Sequence, residues 1–274
     1  MGLDLLRREG SPPKLVGHRG ACDVAPENTL ASFERAWRDG ADVVELDVRL
    51  SADGHVVVLH DALLDRTTDG TGYVGDRTLA ELKQLDAGSW FDPRYAGERI
   101  PTLDEVLDWA RGKAGLLLEL KYEPYGSFDP ALVPGVLRVV TGAGIEDQVA
   151  AISYQGRALQ QLRLLAPHLP AGPMPPPDRL LRWGVWLVRR FPALDRIEAL
   201  RRLLTRPLRY SRRLGCDLVV PNIEMASRVL VDAAHALEMP VSCGGLAWDY
   251  PKAIAMGVDT ISANDPGLVR ALYL

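Results

Sequence analysis

Cysteine is scarce in this chain: Cys22, Cys216 and Cys243 are widely spaced, odd in number, and form no C-x-x-C pair. That speaks against a disulfide framework and a thiolate zinc site, and leaves three buried or incidental thiols. Long apolar runs are missing too, since none approaches the roughly 18 residues needed to span a bilayer. Near the N-terminus Leu5-Leu6 runs straight into Arg7-Arg8-Glu9, so no signal-peptide core forms. Gly2 lacks the downstream Ser or Thr of a myristoylation motif. These absences make a cytoplasmic protein the expectation. Lysine is also rare, with 5 against 27 arginines, and the arginines are unevenly spread. From Pro175 to Arg213 eleven arginines stand against three acidic residues, a net +8 that leaves −12 for the rest of the formal −4.

A length of 274 residues suits one large α/β barrel, a single domain over 1–274, better than two ordinary domains. Short β-branched or Leu-rich runs alternate with amphipathic stretches, the rhythm of βα units around a parallel sheet. Eight strands are expected: 14–17, 42–48, 115–120, 148–153, 171–174, 217–221, 240–243 and 259–263. Between them fall helices such as 29–39, where Leu30, Phe33, Ala36 and Trp37 recur at helical spacing before Gly40. Thr102 and Glu105 form a capping-box pattern at another helix start. The fold expected is a (β/α)8 TIM barrel.

One run is left over. His55–His60 follows the second strand after Ser51-Ala52-Asp53-Gly54, and Asp-Gly is a strong hairpin signal. With Asp53 and Gly54 as the two loop residues, counting outward pairs Asp47 with His60 on one face of a β-hairpin.

Three segments place polar groups where a barrel strand should be apolar: Gly17-His18-Arg19-Gly20, Glu45-Leu46-Asp47 and Glu119-Leu120-Lys121. In each the apolar run comes first, so the polar groups sit at the C-terminal mouth, where such barrels carry their sites. Glu45 and Asp47 are two apart and share a face, as do Glu119 and Lys121. Carboxylates converging there repel unless some stay neutral or a cation holds them. Oxygen-only ligands suit Mg²⁺, Mn²⁺ or Ca²⁺. Arg19 and Lys121 beside them fit a phosphate anion, and His18 and His60 offer an acid and a base. His55, His168 and His235 read as surface residues.

These motifs carry a resemblance. Gly17-His18-Arg19-Gly20-Ala21, Ala25-Pro26-Glu27-Asn28-Thr29, Glu45-Leu46-Asp47-Val48, Leu59-His60-Asp61 and Leu64-Asp65-Arg66-Thr67-Thr68 resemble the glycerophosphodiester phosphodiesterase family. So do Leu85-Asp86-Ala87-Gly88-Ser89-Trp90-Phe91, Arg99-Ile100-Pro101-Thr102-Leu103 and Leu118-Glu119-Leu120-Lys121. The match is nearly continuous from Lys14 to Lys121 and thins beyond it. The resemblance implies metal-dependent cleavage of glycerophosphodiesters to glycerol 3-phosphate and an alcohol. It implies Glu45, Asp47 and Glu119 as metal ligands, His18 and His60 as the general acid/base pair, and Arg19 and Lys121 on the phosphate. Asn28 and Glu27 fall in the family's Pro-Glu-Asn motif near the site, with Asn28 expected on the phosphate; capping of the helix at Thr29 is an equal reading of both. Two departures stand out. Ser242-Cys243-Gly244-Gly245-Leu246 replaces a bulky seventh-strand stretch, which suggests a roomier pocket, and Ala263-Asn264-Asp265-Pro266 replaces a Thr-Asp-x-Pro ending.

The basic segment interleaves Trp183, Val185, Trp186, Leu187, Val188 and Phe191 with arginine, between the fifth and sixth strands. One reading is crossover helices whose Arg heads reach water. The other is a lid or interfacial patch, 176–210, in peripheral contact with anionic lipid or acidic substrate. Nucleic-acid binding is not expected, because the rest of the chain is acidic and no recognised motif accompanies the patch. Two alternatives to a small-molecule phosphodiesterase stay open. One is phospholipase D-type cleavage of lysophospholipids at a membrane surface. The other is a non-catalytic barrel, against which the intact histidines and carboxylates speak.

Overall fold

The computed structural model describes residues 3–8, 10–122, 127–176, 178–244 and 249–274. Strand β1 (Lys14–Gly17) leads to helix α1 (Leu30–Arg38), whose N-cap Thr29 accepts the Ser32 N–H through its hydroxyl. Then come β2 (Val43–Leu50), β3 (Val56–Val58), α2 (Leu79–Leu82) and α3 (Leu103–Ala110). The capping box at α3 forms as the sequence suggests, Thr102 and Glu105 each accepting the other's backbone N–H. The chain continues through β4 (Gly115–Leu120), α4 (Leu132–Ala143), β5 (Val149–Ser153), α5 (Gly156–Leu165) and β6 (Ala171–Pro173). Helices α6 (Arg179–Arg190), α7 (Glu198–Leu204) and α8 (Arg206–Arg213) make up the basic segment. The rest is α9 (Arg228–His235), β7 (Ser242–Gly244), α10 (Tyr250–Met256), β8 (Thr260–Ala263) and α11 (Pro266–Tyr273).

The sheet runs in the order β6-β5-β4-β2-β1-β8-β7, parallel throughout except for β3, which pairs antiparallel to β2. This is the TIM-barrel arrangement of strands inside and helices outside. The ring closes through residues 217–222. The Asp217 and Leu218 N–H groups both donate to Ala171 O on one side, and Val219 donates to Pro240 O on the other. This stretch makes only single bridges, Val219 with Val241 and Asn222 with Gly244, so the sixth strand expected at 217–221 is not a regular one. Two successive N–H groups share one carbonyl there, and Pro221 has no N–H to extend a ladder. Strand β7 likewise starts at Ser242, two residues past the expected Pro240.

The hairpin after β2 forms, but in another register. Val48 faces Val58, Arg49 faces Val57 and Leu50 faces Val56, so Asp47 lies opposite Leu59 and not His60. The loop has three residues, Ala52-Asp53-Gly54, closed by Ser51 and His55, with Gly54 at φ 79° in the left-handed region. The Asp53 carboxylate accepts from the Ser51 hydroxyl and the Leu79 N–H, which favours this loop over the two-residue turn. Among the described residues no helix is long and apolar enough to cross a membrane.

Two glycines separate conformational strain from steric clash. An added Cβ at Gly54 meets nothing within 4 Å, whereas at Gly20, φ 86°, it would lie 2.6 Å from the Ser32 carbonyl carbon. Urea denaturation of Gly54→Ala should show a loss of about 1 kcal/mol, and of Gly20→Ala about 3 kcal/mol or more. Equal losses would mean that the Gly20 loop can yield.

Candidate active site

Along a strand every second side chain points inward. Val16, Val43, Leu117, Ala150 and Ile152 pack together with Leu5 and Leu218 as the inner layer of the barrel. One step higher on the same inward rows stand His18 after Val16, Glu45 after Val43 and Glu119 after Leu117. Asp47 and Lys121 follow one step further. The β2–β4 register sets Asp47 directly beside Glu119.

The three carboxylates offer oxygens that all lie within 4.8 Å of one another, and all three residues are buried. Lys121 Nζ sits 3.0 Å from Asp47 Oδ1 and 2.6 Å from Glu119 Oε1. Asn28 donates from Nδ2 to Asp47 Oδ2 at 2.7 Å and accepts the Asp47 N–H at 3.2 Å. The Arg19 N–H donates to Glu45 Oε2 at 2.9 Å, while its guanidinium donates to Glu27 at 2.9 Å and lies 3.5 Å from Asp47. Arg19 and Asn28 both take positive φ, 49° and 58°, and the Asn28 N–H and Ser32 hydroxyl pin the Arg19 carbonyl between them. Burial works against charge on Asp47, but Lys121, His60, Arg19 and the Asn28 hydrogen bond hold its pKa down at about 2. Burial and then the neighbouring carboxylates push Glu45 well up, and burial and Asp47 raise Glu119 against the pull of Lys121.

The two histidines are held alike. His18 Nδ1 lies 2.8 Å from Asn264 Oδ1, and Asn264 Nδ2 donates to Asp23 at 3.1 Å. Since the Asp23 carboxylate only accepts, the Asn264 oxygen is left as acceptor, the hydrogen belongs on His18 Nδ1, and Nε2 is left open. His60 Nδ1 lies 2.5 Å from Asp61 Oδ1, which fixes the same tautomer. Burial and the nearby Arg19 lower the pKa of His18, and burial with Lys121 and Arg19 lowers that of His60. Cys22 lies 3.8 Å from His18 Nδ1, but burial and Asp23 push its thiol up to about 12, so it is no competing nucleophile.

His60 stays close enough to Asp47 for their charges to interact although the hairpin register differs from that expected, because the regular strand ends at Val58 and the chain bends at His60. Arg49 clamps that bend, donating to the His60 carbonyl at 2.8 and 3.1 Å and to the Tyr122 carbonyl at 2.9 Å. Arg66 ties the neighbouring loop, bidentate to Glu27 at 2.7 and 2.8 Å and bonded to Asp61 at 2.6 Å. Glu27 is thus the hub of an ion-pair network, and the helix is capped by Thr29 alone. Asn28, expected on the phosphate, is 2% exposed with both ends of its amide on Asp47. Arg49, Arg66 and Asn264, which bond to the His60 carbonyl, Asp61 and His18, are not singled out as site residues by the sequence alone. Arg66 lies in the Leu64–Thr68 motif and Asn264 in the altered last-strand ending, while nothing in the sequence marks Arg49.

A cavity of about 440 Å³ opens over the cluster, lined by His18, Glu45, Glu119 and Asn264, with Tyr154, Met174, Arg182 and Glu224 at its rim. Gly244 lines it too, while the Gly245 of the roomier-pocket expectation lies outside the described residues. The donor set fits a hard divalent cation: three carboxylate oxygens converge, and buried Asp47 Oδ1 has no well-aligned hydrogen bond.

The Glycerophosphoryl diester phosphodiesterase family model matches residues 18–268. The chain is 41% identical over 158 residues to the glycerophosphodiester phosphodiesterase of Caldanaerobacter subterraneus subsp. tengcongensis, covering 58% of this chain and 65% of that one. It thus spans just under two thirds of that relative's length. It resembles the crystal structure of the glycerophosphodiester phosphodiesterase from Agrobacterium tumefaciens, with TM-score 0.75 and 31% identity over 95% of this chain and all of the other. It also resembles an Oleispira antarctica phosphodiesterase solved with the product sn-glycerol-3-phosphate, with TM-score 0.77 and 29% identity over 95% and 96% of the two chains. Motifs, fold and a match from the first histidine almost to the end of the chain agree: the protein belongs to the glycerophosphoryl diester phosphodiesterase family.

Proposed function

We infer that this protein is an enzyme hydrolysing glycerophosphodiesters to glycerol 3-phosphate and an alcohol. One observation carries the reading: two imidazoles, each anchored through Nδ1, both feel the charge of buried Asp47, and His18 lines one cavity with Glu45 and Glu119. The product held by the Oleispira neighbour supports glycerol 3-phosphate, and the relatives' names favour glycerophosphodiesters over lysophospholipids.

Glu45, Asp47 and Glu119 would hold a divalent cation, Mg²⁺, Mn²⁺ or Ca²⁺. Once bound it would draw charge from a phosphoryl oxygen. Asn28 and Lys121 keep Asp47 in place and ionised. Arg19 has its Nη2 free among the described residues, which suits a second phosphoryl oxygen, whereas Lys121 is already engaged by two carboxylates. One imidazole takes a proton through Nε2 from a water whose oxygen bonds to phosphorus, and the other gives a proton to the alcohol oxygen as its bond to phosphorus breaks. A bound phosphodiester anion counters the fall in imidazole pKa that burial and the cations impose.

Assay of glycerophosphocholine hydrolysis should show activity with Mg²⁺, Mn²⁺ or Ca²⁺, its loss on chelation, and a fall of at least about 100-fold in His18→Gln, His60→Gln and Glu119→Gln. Failure to hydrolyse any glycerophosphodiester with metal supplied would favour a non-catalytic barrel. Asn264→Ala frees the His18 ring and should lower kcat about tenfold with little change in KM; an unchanged kcat would deny the tautomer a role. Among the described residues, an added Cβ at Gly244 finds only Ser262 Cβ, 3.9 Å away. Gly244→Trp should therefore narrow the range of accepted headgroups, and the same preference across several headgroups would remove Gly244 from the specificity wall.

A further inference from the structure

Helix α6 is pinned by one face and open on the other. Leu181, Gly184 and Val185 are buried, and an added Cβ at Gly184 would meet Leu203 on α7 at 2.8 Å, so the two helices pack closely there. At 100° per residue Trp183 and Trp186 project from the opposite face, with Arg179 and Arg190 between and beside them. Both tryptophans are more than half exposed, and Leu180, Phe191 and Ile197 are about half exposed within the same eighteen residues. Among the described residues only Arg182, Arg202 and Arg206 of the segment's eleven arginines have salt bridges, to Glu224, Glu198 and Asp178. Among the described residues the other eight have no acidic partner within ion-pair distance.

We propose that this face docks on an anionic lipid bilayer and seats the barrel mouth against it. Tryptophan rings side by side with arginine heads match the headgroup level of a membrane, where each finds an apolar and a charged partner at once. The net +8 supplies attraction to negative lipid from a chain that is otherwise acidic. A second copy of the chain is the poorer occupant, because a two-fold contact through this face would set the same arginines against one another. Arg182 and Glu224, paired at 2.9 Å, line the cavity above Glu45 and Glu119, so the docking face adjoins the mouth. Nothing in this surface depends on the reaction inferred above.

Flotation of the full-length protein with vesicles tests it. The protein should float with phosphatidylcholine vesicles containing phosphatidylglycerol, should not float with phosphatidylcholine alone, and should be released by salt. Trp183→Ser with Trp186→Ser should cut partitioning about tenfold or more, and Arg179→Glu with Arg190→Glu at least as much. Both double variants should hydrolyse soluble glycerophosphocholine, or unfold in urea, as the parent does, which separates docking from folding and from chemistry. Equal binding to neutral and anionic vesicles, or variants that bind like the parent, would overturn the proposal. So would a dimer in solution that the tryptophan variants dissolve.

Discussion

Three carboxylates brought within 4.8 Å of one another in a buried barrel mouth set the terms for everything around them. At an effective dielectric of about 20, each ionised pair at that spacing repels by about 3 kcal/mol. The structure answers with two cations, Lys121 between Asp47 and Glu119 and Arg19 beside Asp47, and with N–H donors from Asn28 and the Arg19 backbone. Two unit charges against three still leave the trio short of balance. Glu45 shows the shortfall, since burial and its two neighbours raise its pKa well above the usual carboxylate range. A divalent ligand completes such a set; without one, a proton on Glu45 is the cheapest remedy.

That electrostatic demand also explains the backbone. Arg19 and Asn28 occupy the left-handed region, which for residues other than glycine costs on the order of 1 kcal/mol or more each. In return the Arg19 N–H points at Glu45, and Asn28 meets Asp47 with both ends of its amide. A helix or strand at these positions could not aim both groups inward. The strain is local, and the rigid strands β1 and β2 on either side hold it.

The sequence made the carboxylate arrangement legible because it rests on strand periodicity: a spacing of two on β2 and on β4 places Glu45 with Asp47 and Glu119 with Lys121, whatever the loops do. The hairpin register was not legible to the same degree. It turns on whether Asp53 caps a three-residue loop through Ser51 and Leu79, and Leu79 is distant in sequence. His60 still lies close enough to Asp47 for their charges to interact, through a bend held by Arg49 and not through cross-strand pairing, so the right neighbour was inferred from the wrong geometry. Asn264 was hidden for another reason. It read as a departure from a motif, and only the fold brings the end of β8 beside the end of β1 to set it on His18. The sixth strand was overread because a β-branched run at Val219-Val220 looks like a ladder even where shared carbonyls prevent one.

The two histidines, alike in tautomer, differ in what holds them. His60 leans on Asp61, a carboxylate that Arg66 keeps ionised far below the usual range, whereas His18 leans on the neutral amide of Asn264. An ionised partner favours imidazolium more than an amide does, and Asp47 adds to the field at His60 as its largest charge–charge influence. At His18 the largest such influence is Arg19, which disfavours the proton. If the pair performs the proton transfers inferred above, the asymmetry divides the work. His60 is the ring on which a proton from the attacking water is best accommodated, and His18 is the ring that gives one up most readily to a departing alkoxide. The division follows from a carboxylate on one side and an amide on the other.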